Sequence, residues 1–175
     1  MIFTIVHDTI LPCSSNAQHQ RYLCKNYDQT SYIAGPISGA EDWQKQAEKL
    51  LENIEQTEAC DEELIIANPR RPEGIPRVGD IAKEQITWEH RNLQLARVVM
   101  FYFVKGPGII TPLELGKELG RGSPIVLGID KSFDRPFDIE TQAHLERPEL
   151  PIYHTLDETV VAATALAKQI RAKEG

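Results

Sequence analysis

The sequence predicts one α/β domain in which an open parallel sheet of about five strands is flanked by helices. Short apolar runs alternate with helix-period segments at intervals of roughly 25–30 residues, which is typical of parallel α/β sheets. The length of 175 residues fits one domain. A composition of 41% hydrophobic and 26% charged residues is that of an ordinary globular chain. We find no internal repeat and no low-complexity tract.

Five core strands are predicted from the apolar runs. They are Tyr32–Ala34, Leu64–Ala67, Val98–Val104, Pro124–Ile129 and Ile152–His154. Ile2–Val6 is expected as a sixth strand at an edge of the sheet. Because residues 7–30 are polar, we expect a long loop there. Residues 1–30 are therefore predicted to be an extension with an edge strand and a loop, and residues 31–175 to be the α/β domain.

Three helix starts are predicted from capping boxes, in which a Ser or Thr side chain and a carboxylate three residues later satisfy free backbone N–H groups. The three matches are Ser38–Glu41, Thr111–Glu114 and Thr155–Glu158. A further helix is expected over about Asp80–Ala96. Residues 131–150 give no clear pattern, and we expect a surface loop with a short helix.

Charge and cysteine content exclude several classes of function. A net charge of −7 argues against a nucleic acid polymer as partner. Cys13, Cys24 and Cys60 show no CxxC spacing, which favours a reducing compartment, expected to be the cytoplasm. The longest apolar stretch, Leu95–Val104, contains Arg97 and is shorter than the about 18 residues of a membrane span. The histidines lack metal-ligand spacing, so we expect no metal site, and no cofactor is expected.

Three turns at the ends of predicted strands are candidate ligand sites, because backbone N–H groups and helix N-termini meet there in a parallel sheet. They are Gly35–Gly39, Asn68–Pro72 and Lys105–Gly108, the last leading to Thr111. The first turn is suited to cradle a phosphate or a sugar, or is simply a tight turn. Arg70 and Arg71 in the second are either bidentate donors to a ligand or solvated surface charges.

Glu114 is the first candidate catalytic acid. It fits the third position of a capping box, which would explain it completely, and Lys117 could pair with it. The same helix N-terminus favours the ionised carboxylate and would aim it over the strand ends, as a nucleophile requires. Both interpretations stay open from the sequence.

Glu89 is the second candidate. In a helix over Asp80–Ala96 it shares one face with Ile86 and Leu93, so the helix would turn a carboxylate inward. A buried carboxyl without a partner is costly or takes up a proton. The alternative is a partly exposed glutamate paired with Arg91, Arg97 or another cation.

Four motifs follow one another in a characteristic order. They are Tyr32–Pro36 at a strand end, Trp88-Glu89 seven residues before Ala96, Glu114–Gly116 at a helix start, and Gly128–Asp130 at a strand end. By this order, residues 31–173 resemble the nucleoside 2-deoxyribosyltransferase-like family, which includes nucleotide N-glycoside hydrolases. The resemblance implies a flavodoxin-like, Rossmann-like domain. It also implies a homodimer or larger homo-oligomer, since active sites in the family are often completed by a neighbouring subunit.

The resemblance implies cleavage or exchange of the base of a nucleoside or nucleotide through a covalent glycosyl-glutamate, with retained configuration. By similarity, Glu114 would be the nucleophile, Glu89 would hydrogen-bond the departing base, and Tyr32 would orient the nucleophile. From the residues alone we expect Trp43 and Trp88 to pack in the core, with stacking on a base as the alternative. The expected substrate-binding residues are Gly35, Pro36, Ser38, Asn68, Arg70, Arg71, Trp88, Gly108 and Thr111.

Two positions depart from the family pattern. Glu89 stands where well-known members more often have Asp, and Gly108 stands where the transferases place an acid that contacts the sugar. These differences disfavour a strict deoxyribosyltransferase and leave room for a phosphorylated or otherwise modified substrate. The alternative hypothesis is a non-catalytic sensor that binds a nucleotide or a nucleotide derivative. The sequence leaves open the base, the sugar 2′ substituent and the acceptor.

Overall fold

Six parallel strands form the central sheet. The computed structural model describes residues 4–7, 30–57, 65–71 and 78–174. Within them lie β1 (Thr4–His7), β2 (Thr30–Ala34), β3 (Ile65–Asn68), β4 (Val98–Phe103), β5 (Ile125–Ile129) and β6 (Ile152–Tyr153). The order across the sheet is β1-β3-β2-β4-β5-β6, and every adjacent pair is parallel. Counted from β2, this is the flavodoxin-like order 2-1-3-4-5, with β1 added at the edge.

The predicted architecture is confirmed. All five core strands are present, and β1 is the expected edge strand, pairing with β3. The predicted loop between β1 and β2 falls almost entirely outside the described residues, and so does Leu64. The division into an extension and a domain at residue 31 stays a prediction.

Five helices cover the two faces of the sheet in the described part of the chain. They are α1 (Trp43–Thr57), α2 (Asp80–Leu95), α3 (Thr111–Arg121), α4 (Pro136–Glu146) and α5 (Leu156–Glu174). Helices α2, α3 and α4 pack on one face and α1 and α5 on the other. Strand β4 serves both layers, because alternate side chains point to opposite faces, and all six of its residues are buried. None of the described helices combines the length and apolar character needed to cross a bilayer.

One of the three capping boxes is confirmed. At the start of α5, Thr155 Oγ1 donates to Glu158 Oε2 at 2.9 Å and accepts the Glu158 N–H at 3.2 Å. The other two predictions are wrong. Helix α1 begins only at Trp43, because the left-handed Gly39, with φ of 73°, turns the chain away first. The Asp42 carboxylate then accepts the Lys45 N–H at 3.1 Å, so it caps this helix in place of Ser38.

The box at Thr111–Glu114 fails because Thr111 already lies inside α3. Ile110 is the residue before the helix, and no side chain caps it. The Glu114 N–H instead donates to the Ile110 carbonyl at 3.0 Å, as the first helical turn requires. Capping therefore does not explain the Glu114 carboxylate. Residues 131–150 contain the expected short helix: α4 occupies 11 of them, starting at Pro136, whose fixed φ suits a first helical turn.

Candidate active site

Two loops pack against each other at the carboxyl ends of β2 and β4. A Cβ atom added to Gly108 would lie 2.7 Å from Pro36 Cγ, closer than real side chains approach. Gly39, in its left-handed conformation, lies against Pro107 in the same way, with 3.1 Å between the added Cβ and Pro107 Cδ. The loop of residues 35–42 and the loop of residues 104–110 thus form one wall, and no side chain fits at position 108.

The first of these loops is anchored to the core through Pro36 and Gly35. The Pro36 carbonyl accepts the Trp43 indole N–H at 2.9 Å and the Gln44 amide at 3.3 Å. A Cβ on Gly35 would collide with the Tyr102 carbonyl oxygen and the Trp43 ring. Trp43 is therefore core packing, as expected. Ser38, at the tip, is exposed.

Arg70 supports the same loop from β3. Its Nε donates to Gln44 Oε1 at 2.9 Å and lies 3.2 Å from Asp42 Oδ1. Its Nη2 donates to two backbone carbonyls of the loop, those of residues 37 and 41. Asn68 is buried; its amide donates to Glu48 Oε1 at 2.6 Å and its Oδ1 accepts the Arg70 N–H. These contacts give both residues a structural role, and their contact with substrate stays a prediction, as it does for the buried Arg71.

Helix α2 presents Glu89 to the sheet-facing side. The buried residues of this helix are Ala82, Gln85, Asn92 and Leu93, and Glu89 lies half-buried beside them. Placing Ile86 on the buried face was wrong, because its side chain is 63% exposed and the polar Gln85 takes the inward position. Glu89 Oε1 accepts a hydrogen bond from Gln85 Nε2 at 2.7 Å. Arg97, considered above as its partner, forms an ion pair with Glu174 at 2.6 Å.

Tyr32 and Trp88 connect this helix to the sheet. Tyr32 at β2 is 1% exposed, and its ring centroid lies 6.2 Å from that of Trp88 at a tilted angle. Leu115, the neighbour of Glu114 on α3, belongs to the same buried cluster as Tyr32. Both glutamate-bearing helices therefore pack on the face of the sheet that Tyr32 occupies.

Glu114 is electrostatically coupled to Glu89. Burial is the largest cause that raises the pKa of Glu114 to about 7; the charges of Glu89 and Glu118 act in the same direction, and Lys117 only partly opposes them. The preference of the helix N-terminus for the ionised form of Glu114 is therefore opposed by its surroundings. The dipole is outweighed by desolvation and by a second carboxylate. Two acidic groups from separate helices thus act on each other.

A second polar group lies at the end of β5. Tyr102 donates its hydroxyl to Asp130 Oδ2 at 3.3 Å, and Asp130 Oδ1 accepts the Ser132 N–H at 2.8 Å. Burial favours the protonated acid, but the hydrogen bonds from Ser132 and Tyr102 outweigh it and hold the pKa of Asp130 below its usual range. Asp130 is therefore an ionised, structurally engaged carboxylate. In the described part of the chain, no cluster of three or more His, Cys, Asp or Glu residues could hold a metal ion.

A sequence profile described as nucleoside 2-deoxyribosyltransferase like matches residues 29–133 of the chain. The protein belongs to this family. The match runs from β2 past β5, so it contains Tyr32, Glu89 and Glu114. No curated protein sequence matches significantly.

The fold of this family member is also similar to that of a conserved protein from Enterococcus faecalis V583, known from its crystal structure. The two share 15% sequence identity with a TM-score of 0.51, covering 81% of this chain and 98% of that chain. At this identity the likeness concerns the fold alone.

Gln85 lies in the candidate site of this nucleoside 2-deoxyribosyltransferase-like chain, and the sequence pattern does not indicate it. It is completely buried and touches the candidate acid directly. A glutamine four residues before Glu89 on the same helix is a signal that helix geometry provides, since residues at i and i+4 are neighbours. Hydrophobic periodicity predicts that a glutamine lies at the surface, so the pattern places Ile86 on the buried face of the helix instead.

Proposed function

We propose that the protein cleaves the N-glycosidic bond of a nucleoside or nucleotide and transfers the glycosyl group through Glu114 to water or to a second base. The observation that carries this proposal is the coupling of two carboxyl groups, Glu114 on α3 and Glu89 on α2, with a Glu114 pKa of about 7. Membership of the nucleoside 2-deoxyribosyltransferase-like family supports the same chemistry.

Because burial and the charge of Glu89 raise the Glu114 pKa to about 7, the two neighbouring carboxyls retain one proton between them below that pH. A retaining mechanism needs this charge state, with one carboxylate to attack and one acid to assist departure of the leaving group. In the reactive arrangement the proton is on Glu89 and the charge on Glu114.

In the first step, a Glu114 oxygen forms a bond to the anomeric carbon while the bond from that carbon to the base nitrogen breaks. The electron pair leaves with the base, which takes a proton or a hydrogen bond from Glu89. In the second step, water or a second base attacks the anomeric carbon and releases the Glu114 carboxylate. Glu89, now ionised, accepts the proton that the attacking group loses. Two inversions give overall retention.

The proposed substrate range follows from the wall formed by the two loops. Because Gly108 packs directly on Pro36, the chain has no room for an acidic side chain that would contact the sugar there. This supports a substrate other than a strictly 2-deoxyribosyl one. The exposed Ser38 leaves space for a phosphate, and the other predicted binding residues, Gly35, Asn68, Arg70, Arg71, Trp88 and Thr111, are proposed to shape the pocket.

We also propose that the protein acts in the cytoplasm as a homodimer or larger homo-oligomer, with residues 31–175 as the catalytic domain. The scattered cysteines support the compartment, and the family resemblance supports the assembly.

A ligand panel tests the proposed function. The protein is incubated with ribo- and 2-deoxyribonucleosides and their 5′-phosphates, and the products and the intact protein are analysed by mass spectrometry. We expect free base, or a protein mass increased by one glycosyl group and lost in Glu114→Ala. Intact bound ligand without base release would contradict the enzyme and favour the nucleotide sensor. If the protein neither releases base nor retains a ligand, both functions are rejected.

A further inference from the structure

Gln85 makes two hydrogen bonds from one buried amide. Its side chain is completely inaccessible to solvent. Nε2 donates to the Pro69 carbonyl oxygen at 3.0 Å and to Glu89 Oε1 at 2.7 Å. The amide therefore joins the backbone after β3 to the candidate acid on α2.

The orientation of this amide is fixed by chemistry. The Pro69 carbonyl can only accept a hydrogen bond, so the group that faces it must be the NH₂. A flipped amide would direct its oxygen at both a carbonyl oxygen and a carboxylate. In the orientation observed, Gln85 Oε1 is buried and finds no hydrogen-bond partner among the described residues. A buried acceptor without a partner costs free energy. The two hydrogen bonds of Nε2 therefore form although Oε1 is left without a partner.

This geometry distinguishes the two oxygens of Glu89. Because Gln85 donates to Oε1, that oxygen acts as an acceptor, and a carbonyl oxygen accepts this hydrogen bond better than a protonated one. When Glu89 is protonated, the contact therefore favours the proton on Oε2.

We propose that Gln85 is the positioning residue of Glu89, which fixes the rotation of the carboxyl group and directs its proton to Oε2 for the departing base. The departing base rests on the proposed function. The contact between Gln85 and Glu89, and its effect on the Glu89 titration, do not depend on that function. The charged groups around the contact are Glu114, which acts on Glu89 from α3, and Arg71, buried two residues after Pro69.

Carboxyl titration tests the contact without any substrate. Glutamate carboxyl carbons labelled with carbon-13 are followed by NMR from pH 3 to pH 9 in the wild type, Gln85→Met and Gln94→Met. Gln94 is the matched control, because it lies on the exposed side of the same helix next to His90. Loss of a donor to an ionised carboxyl should move the Glu89 titration upward by about one pH unit in Gln85→Met. It should not move in Gln94→Met.

A second variant guards against a folding defect. Gln85→Glu keeps the size and shape of the side chain but removes the donor when it is ionised, so it should also raise the Glu89 titration. A Glu89 titration that stays at the wild-type pH in either folded Gln85 variant overturns the proposal, whatever the enzyme does.

Kinetics then separate positioning from a merely structural role. Release of base is measured for a purine nucleoside and for its 7-methyl counterpart, whose cationic base departs without protonation. We expect kcat of Gln85→Met to fall about tenfold for the unmodified substrate and less than threefold for the methylated one, with KM nearly unchanged. Equal losses of kcat on both overturn the directing role. A wild-type protein that releases neither base refutes the proposed function, while the titration still decides the role of Gln85.

Discussion

At the scale of single residues, the charge state of Glu114 depends on groups far away in sequence. Its place in the first turn of α3 favours the ionised form by roughly 0.3–1 kcal/mol. Burial and the charge of Glu89 act in the opposite direction and raise its pKa to about 7. The sequence singles out both glutamates as candidate catalytic residues. It could not give their charge, because neither burial nor the partner can be read from a local pattern.

The first prediction concerns the pH dependence of base release. Because the reactive pair must carry one proton, kcat/KM should fall as pH rises through an apparent pKa near 7, where the last proton of the pair is lost. Glu89→Gln removes the neighbouring charge and the titrating acid, so the remaining activity should reach a plateau at a lower pH and keep it above pH 7. Glu84→Gln, which changes an exposed glutamate on the same helix, is the control. A profile that is identical in Glu89→Gln and wild type would contradict the coupling.

The second prediction concerns stability. The pKa of Glu114 is about 7 in the folded chain against an ordinary value of 4.5, so the folded state binds the proton more tightly. The contribution of this tighter proton binding to the free energy of unfolding is fully present below pH 4.5 and is lost as pH rises through 7. Relative to Glu114→Gln, the wild type should therefore lose up to about 3 kcal/mol of unfolding free energy between pH 4 and pH 9. Urea unfolding of both proteins at several pH values measures this; parallel curves would refute it.

At the scale of elements, the C-terminus of α3 is held by a side chain from the end of α4. Arg147 donates to the backbone carbonyls of Glu118, Leu119 and Ser123 over 2.7–3.1 Å. The last carbonyls of a helix lack intrahelical partners; the guanidinium binds two carbonyls of the last turn and, in addition, the Ser123 carbonyl just after the helix. Gly122, left-handed with φ of 80°, ends the helix there.

The third prediction follows from this contact. Arg147→Met should lower the free energy of unfolding by about 2 kcal/mol, because hydrogen bonds from a charged donor to partly buried carbonyls are lost. Arg135→Met is the matched control at the other end of α4, where an exposed ion pair with Asp138 is lost and no measurable change is expected. Equal midpoints of chemical denaturation for the two variants would show that Arg147 does not hold the helix.

The strands, which were predicted from apolar runs, are confirmed. Two of the three helix starts predicted from capping boxes are wrong. Buried strands such as β4 are continuous apolar runs, which the sequence displays directly. The pattern of a capping box was correct at Thr155 but not at Ser38 or Thr111. The pattern is the same in all three. What differs is whether the preceding loop delivers the hydroxyl to the first free N–H groups.

At the scale of the whole molecule, the close approach of a helix to the sheet limits which side chains fit between them. Gly128 in β5 faces α5, and a Cβ there would meet the Thr159 side chain and lie 2.6 Å from the Tyr102 ring. The sheet and this helix are therefore in direct contact at a position where only hydrogen fits. Glycines of this kind are recognised from the packing between elements, not from the local sequence.

The fourth prediction tests this packing. Gly128→Ala should lower the free energy of unfolding by about 1–3 kcal/mol, because an overpacked core must shift to admit the methyl group. Gly120→Ala is the control: it lies in α3 with open space around it, and alanine there should stabilise the chain by about 0.5–1 kcal/mol. Thermal and urea unfolding compare the two. If both substitutions shift stability in the same direction, the close contact at β5 is refuted.

The sequence by itself determined the parallel α/β architecture and the order in which strands and helices alternate, and it indicated the two candidate glutamates. These features depend on periodicity and on short motifs, which are local properties of the chain. Only the tertiary structure decided that Glu89 and Glu114 act on each other, that Gln85 holds Glu89, and that Arg70 supports a loop. Desolvation, coupling between charges and hydrogen bonds between elements arise when distant segments are brought together, so no local pattern records them.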